Sequence, residues 1–235
     1  MSRPDRRPEV GDFLGGVESG DPMETVPAFL VEHLSRPPWE VAAETAAIVG
    51  AAINQISDDF VLVEHTHGRS AIHRSATVHP TVVATGPLIV DEGASVGPHV
   101  VLRSGAYVGH GAHIGASCEV KSAWIMAGAA VAHLAYIGNS VVCDDVNIEA
   151  GVVLANHFNE RSDRMIQVVI DDTRFDTGYT KFGAIVGSGS RIGANSVTTP
   201  GTLLAPHSIV GRLTLVDQTA ERSDEDHTDV RRSTS

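Results

Sequence analysis

The chain has 235 residues, of which 42% are hydrophobic, only 5% are aromatic and 23 are glycine. This composition favours a core of small and β-branched side chains over a helical bundle. The formal net charge of −12 argues against nucleic acid or an anionic membrane as a partner. No run of about 18 apolar residues is present that would span a membrane. The two cysteines, Cys118 and Cys143, lack the spacing of a disulfide framework, so we predict a cytoplasmic protein.

The N-terminal part of the chain differs in character from the rest. Residues 1–21 are polar and rich in proline, and we expect them to be disordered. Over residues 22–70 we predict a helical cap and linker, because prolines precede the helix-forming stretches AFLVEHL and WEVAAETAAIVGAAINQI. Two helices would cover the first coil of the following domain, whose open end would otherwise expose apolar surface and strand edges.

From residue 72 onward, an aliphatic or small residue recurs at nearly every sixth position. The positions are Ile72, Val78, Ala84, Val90, Val96, Leu102, Val108, Ile114 and Val120, then, after two slips of one residue, Ile125, Val131, Ile137, Val142, Ile148 and Leu154, and later Val186, Ile192, Thr198, Leu204, Val210 and Val216. A hexapeptide period predicts an all-β fold, a single-stranded parallel β-helix over residues 71–217. Each unit forms one short face, three faces complete a coil, and the aliphatic side chain points inward.

The repeat is interrupted once, over residues of about 155–184. This stretch is polar and charged, and an insertion of this length between two hexapeptides is usually functional. The tail over residues 218–235, which contains TAERSDEDHTDVRRSTS, is expected to be disordered.

Two basic residues stand in the same column of the predicted helix. Arg103 and Lys121 each follow an inward aliphatic residue and are separated by three hexapeptides, which make one full coil. Their backbones are therefore expected about 4.8 Å apart, and two stacked cations repel each other unless an anion accompanies them. Glu119 could supply that anion and give a salt-bridged surface. A bound phosphate is the alternative, since guanidinium and ammonium groups both suit it.

His133 and Tyr136, in VAHLAYIGNS, interrupt a stretch of small and aliphatic residues. Histidine is the side chain whose charge changes near neutral pH, which suits a general base. The chain has 12 histidines, so the residue type alone is weak evidence. His110 and His113 are close in sequence, but such a pair in a β-helix points in different directions, so we predict no metal site.

These residues occur within a recognisable order of motifs. The segment EVKSAWIMAGAAVAHLAYIGNSVVCDDVNIEAGVVLANHF resembles the acetyltransferase domain of the bifunctional N-acetylglucosamine-1-phosphate uridylyltransferase/glucosamine-1-phosphate acetyltransferase family. The later segment TGYTKFGAIVGSGSRIGANSV is similar to the archaeal-type sugar-phosphate nucleotidyltransferase relatives of that family. Together the resemblance covers about residues 88–212.

The resemblance implies a left-handed β-helix that assembles as a homotrimer with active sites between subunits. It implies transfer of an acetyl group from acetyl-CoA to the amine of an amino-sugar phosphate or a sugar nucleotide, within nucleotide-sugar biosynthesis and without a metal. By family position, His133 is the general base and the backbone N–H of Ala150 stabilises the oxyanion. The other implied contacts are Arg103, Lys121, Tyr136, Asn147 and Asn156 with the acceptor, and Ala150, Asn156, His157 and Ser196 with CoA.

Several departures from the family pattern affect the acceptor more than the reaction type. The usual IGAG is IEAG here, which places Glu149 beside Ala150, and His157 replaces a tyrosine. The loop lysine of the family has no clear counterpart, although Lys181 or Arg164 could substitute. The segment before the first hexapeptide is too short for a nucleotidyltransferase domain, so we expect no nucleotidyltransferase activity. The alternatives are a non-catalytic scaffold or regulator of a separate nucleotidyltransferase, and an acyltransferase for a non-sugar amine.

Overall fold

The structure is a computed structural model that describes residues 7–15, 26–65, 67–219 and 230–232. The predicted disorder of residues 1–21 and 218–235 therefore falls largely outside the described residues. A short 3-10 helix, Val10–Phe13, lies within the first of these ranges.

Two α-helices follow, α1 (Ala28–Val31) and α2 (Pro38–Ile53). Pro37 and Pro38 stand at the start of α2, where a missing backbone N–H costs nothing. Within the described chain, neither helix is long and apolar enough to cross a membrane.

Parallel strands from successive coils pair in three stacks, which confirms the predicted parallel β-helix. The first stack contains β5 (Leu88–Val90), the second halves of β7 (Val101–Val108) and β9 (Glu119–Ile125), β12 (Val141–Val142), β17 (Ala184–Val186) and β20 (Thr202–Leu204). The second stack contains β3 (Thr77–Val78), β6 (Ser95–Val96), β8 (His113–Ile114), β10 (Ala130–Val131), β13 (Asn147–Ile148), β18 (Arg191–Ile192) and β21 (Ser208–Val210). The third stack contains β4 (Val83–Thr85), the first halves of β7 and β9, β11 (Tyr136–Gly138), β14 (Val153–Leu154), β19 (Val197–Thr198) and β22 (Leu215–Val216).

The remaining strands are antiparallel additions to this framework. They are β1 (Phe60–His65), which pairs with β2 (Gly68–His73), the hairpin β15 (Gln167–Ile170) and β16 (Thr173–Asp176), and β23 (Val230–Arg232), which pairs with β21. Since β2 continues the first stack by pairing with β5, the β1–β2 hairpin forms the N-terminal edge of the first stack.

The two slips in the hexapeptide period occur at the same corner of the triangle. In β7 the corner contains Ser104 and Gly105, whereas in β9 it contains Ser122 alone, and the register shifts there. The next coil keeps the shorter corner, which contains Asn139 alone between Gly138 and Ser140. Because the missing residue falls at a corner, the aliphatic side chains of all three stacks still point into one continuous core.

The helices lie elsewhere than the sequence suggests. The first stack also carries apolar side chains on its outer surface, a column that includes Ile89, Tyr107, Trp124 and Val141. Helix α2 packs along this column, across β2, β5, β7 and β9, instead of covering the end of the first coil. The reason is that burial of this apolar outer surface is favourable, whereas the N-terminal edge of the first stack is already paired with β1.

The insertion packs against the N-terminal turns of α2. Phe158, Ile166, Val168 and Phe182 form a small core with Trp39 and Ala42 of the helix. The rings of Trp39 and Phe182 meet edge to face, with centroids 6.1 Å apart. Helix α2 is thus packed between the coils and the insertion.

Gly105 shows how close the helix is to the coils. A methyl group at this position would lie 2.5 Å from Cα of Ala46, and the residue has φ +89. We expect Gly105→Ala to lower the free energy of unfolding by about 2–4 kcal/mol, through backbone strain and displacement of α2. Denaturant unfolding followed by circular dichroism measures this change.

Gly111→Ala is the matched control, because Gly111 has φ +63 but no atom within 4 Å of the added methyl group. It should cost only about 1 kcal/mol, the penalty for the left-handed conformation. Equal losses in the two variants would contradict the close packing of α2.

Candidate active site

The basic residues Arg103 and Lys121 lie opposite each other on the neighbouring strands β7 and β9. Both residues stand next to the corner between the third and first stacks, and Lys181, at the end of the insertion, lies near the same corner. Burial, together with the charges of Lys181 and Arg103, lowers the pKa of Lys121. A lowered lysine pKa beside two further cations is typical of a site that is completed by a bound anion.

Glu119 neutralises only part of this cluster. Its carboxylate Oε1 accepts a hydrogen bond from Nε of Arg103 at 2.6 Å, so the salt bridge considered from the sequence forms at Arg103. Lys121 instead donates from Nζ to Oδ1 of Asn139 at 3.2 Å. With three cations and one carboxylate, the corner keeps an excess of positive charge.

Tyr136 lies one strand further along the third stack, in register with Glu119. Its hydroxyl lies near the side chain of Asn156, and burial followed by the charge of Glu119 raises the pKa of Tyr136. The ring covers Gly138, where an added methyl group would lie 2.7 Å from the Tyr136 hydroxyl oxygen. Glycine at position 138 is therefore required for this ring position.

Asn156 connects the members of the cluster and is itself only 4% exposed. Its Nδ2 donates to Oδ1 of Asn139 at 2.7 Å, and its Oδ1 lies 3.2 Å from Nδ1 of His157. In the single chain, Asn156 therefore positions Tyr136 and Asn139, while His157 is exposed beside it.

Sequence reasoning missed Asn139. The available signal was its place at a corner, where asparagine tolerates a positive φ, here 44°. It also directly follows Gly138, the strand partner of Lys121, and its side chain accepts a hydrogen bond from Lys121.

His133 lies at a different corner of the triangle, between β10 of the second stack and β11 of the third stack, three residues before Tyr136. The side chain is exposed, and its Nδ1 accepts a hydrogen bond from the backbone N–H of Ala116, 3.2 Å away on the preceding coil. In a neutral ring with this bond, the proton is on Nε2. The outer nitrogen of His133 is then a donor.

Backbone N–H groups form a column at this corner. Ala116 donates to His133, and Ala194 donates to Oε2 of Glu149 at 2.8 Å. Ala150 lies between them in the stack, since its carbonyl accepts from the backbone N–H of Asn195. Among the described residues, none accepts from the N–H of Ala150, so this N–H is free to bind a ligand oxygen.

Glu149 turns away from Ala150 and towards the later coils. Arg212 holds its carboxylate with two bonds, Nε to Oε2 at 2.9 Å and Nη2 to Oε1 at 2.8 Å. This pairing, followed by the bond from Ala194, lowers the pKa of Glu149. The negative charge that the sequence places beside the proposed oxyanion donor is therefore compensated.

Two residues of the predicted site do not join these groups within one chain. Asn147 begins β13 on the second stack and lines a groove of about 220 Å³ with Glu149, Arg191 and Arg212. Ser196 is fully buried, and its hydroxyl lies 2.6 Å from the carbonyl oxygen of Gly193. In the single chain its side chain points into the corner and not to the surface, and a contact of Ser196 with CoA stays a prediction.

The histidine pair His110 and His113 is divided between different partners. His113 bonds through Nδ1 to the Ser95 hydroxyl at 2.7 Å, and His110 lies 3.7 Å from Glu92. In the described part of the chain, no three His, Cys, Asp or Glu side chains converge as metal ligands would.

Comparison with known proteins finds a matching family model and several relatives. The family model described as the GMPPB C-terminal domain matches residues 84–175. The bifunctional sugar-1-phosphate nucleotidylyltransferase/acetyltransferase of Sulfurisphaera tokodaii is 33% identical over 113 residues, which are 48% of this chain and 27% of the relative. The putative uncharacterized acetyltransferase YaiX of Escherichia coli K12 is 27% identical over 164 residues, which are 70% of each chain.

Two solved structures show a more distant similarity. A putative acetyltransferase from Bacillus cereus has 16% identity and a TM-score of 0.41, covering 63% of this chain and 76% of the other. PerB from Caulobacter crescentus, titled as a complex with CoA and GDP-perosamine, has 16% identity and a TM-score of 0.34, covering 61% and 54%. Since both scores are below 0.5, the fold assignment rests on this chain's own strand register.

These similarities confirm the predicted resemblance to sugar-phosphate nucleotidyltransferase/acetyltransferases and their acetyltransferase relatives. The chain spans about a quarter of the length of the bifunctional Sulfurisphaera relative, 27%.

The charge cluster makes a prediction about stability. Since burial and its cationic neighbours lower the pKa of Lys121 in the folded state, its charge opposes folding at neutral pH. We expect Lys121→Met to leave the free energy of unfolding unchanged or to raise it by up to about 1 kcal/mol at pH 7. The gain should shrink as the pH rises through the folded pKa towards the usual lysine value of 10.5.

Arg191→Met, at an exposed position on the second stack, serves as the control and should change stability by less than about 0.5 kcal/mol. Urea unfolding of both variants at pH 7 and pH 10 provides the measurement. A loss of more than about 1 kcal/mol for Lys121→Met would show that its bond to Asn139 outweighs the repulsion.

Proposed function

We propose that this protein is a CoA-dependent N-acetyltransferase that acetylates the amine of an amino-sugar phosphate or a sugar nucleotide. The observation that carries the proposal is the arrangement of groups on the two sides of the third stack. The cations Arg103 and Lys121, which suit a phosphate, lie at the corner where its strands end. The imidazole of His133 and the available N–H of Ala150 lie at the corner where its strands begin. The similarity to sugar-phosphate enzymes and acetyltransferases supports the same reaction.

The dimensions suit a phosphorylated acceptor. His133 and Gly138, the strand partner of Lys121, are five positions apart. Because the chain turns at Leu134, they are closer than the roughly 16 Å that five extended residues would span. The long side chains of Arg103 and Lys121 shorten the distance between the phosphate and His133. A sugar phosphate that lies along the strand therefore places its amine towards His133. Tyr136 lies between the two ends, where it contacts the sugar.

The proposed reaction is a direct acyl transfer. The amine nitrogen attacks the thioester carbonyl of acetyl-CoA, a C–N bond forms, and the C–S bond breaks. A base removes a proton from the amine, and the leaving thiolate takes up a proton to give free CoA. The carbonyl oxygen gains negative charge in the transition state, and the N–H of Ala150 donates a hydrogen bond to it.

His133 is the proposed base, and its observed hydrogen bond places a condition on that role. Removal of the amine proton by Nε2 requires a lone pair there, so the ring proton must be on Nδ1. The bond from Ala116 to Nδ1 then has to open when the substrates bind, which the exposed position of the ring allows. Otherwise His133 acts as a donor through Nε2.

The cofactor contacts are proposed for the groups that are exposed near the Ala150 corner and the insertion. Ala150 and His157 are available for acetyl-CoA, whereas Asn156 acts through Tyr136 and Asn139. Asn147 faces the second stack, so it would reach an active site only between subunits. A cytoplasmic homotrimer with such shared sites is part of the proposal, and sedimentation measures its mass.

Variants of His133 distinguish a base from a donor. We expect His133→Ala and His133→Asn both to lower kcat by about 10²–10⁴-fold, because asparagine can donate a hydrogen bond but cannot remove a proton. Release of CoA thiol with a panel of amino-sugar phosphates and sugar nucleotides gives the rate. His99→Ala, at the equivalent corner two coils earlier, is the control.

The outcome for His133→Asn decides between the two roles. If this variant keeps most of the activity, His133 is a donor and another group is the base. Absence of turnover by the unmodified protein with every amine, together with no binding of CoA, would favour the non-catalytic alternative.

Arg103 should determine the preference for a phosphorylated acceptor. We expect Arg103→Ala to lower kcat/KM by about 10–100-fold for an amino-sugar phosphate, since a charge-assisted hydrogen bond is lost. The same amino sugar without phosphate should change by less than threefold. Comparable losses for both acceptors would mean that Arg103 acts through its salt bridge to Glu119 and not through phosphate.

A further inference from the structure

We propose that Arg212 is a positioning residue that compensates the charge of Glu149 and so keeps the Ala150 N–H effective as the oxyanion donor. This inference rests on the proposed function, because it concerns the same acyl transfer. Neither Arg212 nor the pair with Glu149 belongs to the residues assigned above to substrate, base or CoA. The pair spans the chain from β13 to the turn that precedes β22.

The geometry places the Glu149 carboxylate close to the developing charge. Ala150 and Ala194 belong to neighbouring coils, about 4.8 Å apart, and Oε2 of Glu149 is 2.8 Å from the Ala194 nitrogen. The carboxylate therefore lies within roughly 8 Å of the Ala150 N–H. A negative charge at this distance opposes a second negative charge on the thioester oxygen.

Two features of the pair limit this opposition. The guanidinium of Arg212 binds both carboxylate oxygens, so positive charge accompanies the negative charge. The direction of the side chain is fixed as well, since Arg212 and the Ala194 N–H together hold the carboxylate towards the later coils. The Ala150 N–H then has no acceptor among the described residues.

Loss of Arg212 would change both conditions. Glu149 would carry an uncompensated charge, and its side chain would be free to turn towards neighbouring backbone N–H groups, including that of Ala150. The Glu149 carboxylate already accepts a hydrogen bond from one backbone N–H of this column, that of Ala194. Either change would raise the energy of the oxyanion while leaving the binding of acetyl-CoA largely intact.

A double-mutant cycle tests this mechanism. We expect Arg212→Ala to lower kcat by about tenfold with the KM for acetyl-CoA within twofold of the unmodified protein. Glu149→Gln alone should have nearly normal kcat, and the double variant Arg212→Ala/Glu149→Gln should recover to within twofold of it. The defect of Arg212→Ala should also shrink at about 0.5 M salt, because the pair is exposed and the repulsion is screened.

Arg191→Ala is the matched control, since Arg191 lines the same groove but pairs with no described carboxylate. It should keep normal kcat and KM. If Arg212→Ala is not recovered as folded protein by circular dichroism, Arg212→Gln carries the same comparison. Arg212→Lys should retain most of the activity because it keeps the positive charge.

Three outcomes would overturn the inference alone, provided that the unmodified protein transfers acetyl groups. These are an unchanged kcat in Arg212→Ala, a loss confined to the KM for acetyl-CoA, and a double variant as slow as Arg212→Ala. The second would show that Arg212 binds the cofactor. Absence of acetyl transfer by the unmodified protein would instead overturn the proposed function and this inference together.

Discussion

The regular distance between parallel strands is the constraint on which this molecule depends. Each coil places its residues about 4.8 Å from those of the next coil, so side chains one coil apart in sequence form columns. The inward columns are aliphatic and make the core, whereas the outward columns bring together groups that are distant in sequence. The cationic corner and the column of backbone N–H groups are both products of this register.

Much of the fold follows from the sequence because the hexapeptide period states the register directly. The inward residues from Ile72 to Val216 lie where the period places them. Arg103 and Lys121 face each other for the same reason. Even the two slips are informative, since a residue can be lost at a corner without moving the columns on either side.

The position of the helices was the main point that the sequence reading missed. Its signal was present, because the strands of the first stack are apolar at consecutive positions, as in AYV, AWI and AIV, instead of alternating. A strand that is apolar on both sides is covered on both sides. The bond from Ala116 to His133 and the long-range pairing of Glu149 with Arg212 could not be predicted. They depend on side-chain directions at corners, which the period does not specify.

The placement of α2 has a consequence for how the molecule unfolds. Coils of a solenoid contact only their neighbours, so such proteins tend to lose structure gradually from their ends. Helix α2 contacts four successive strands of the first stack and also holds the insertion through Trp39. It therefore joins the N-terminal coils and the loop beside the cationic corner into one cooperative unit. Opening the insertion should require release of the helix, which ties the order of the cationic corner to the packing of α2 against the adjacent first stack.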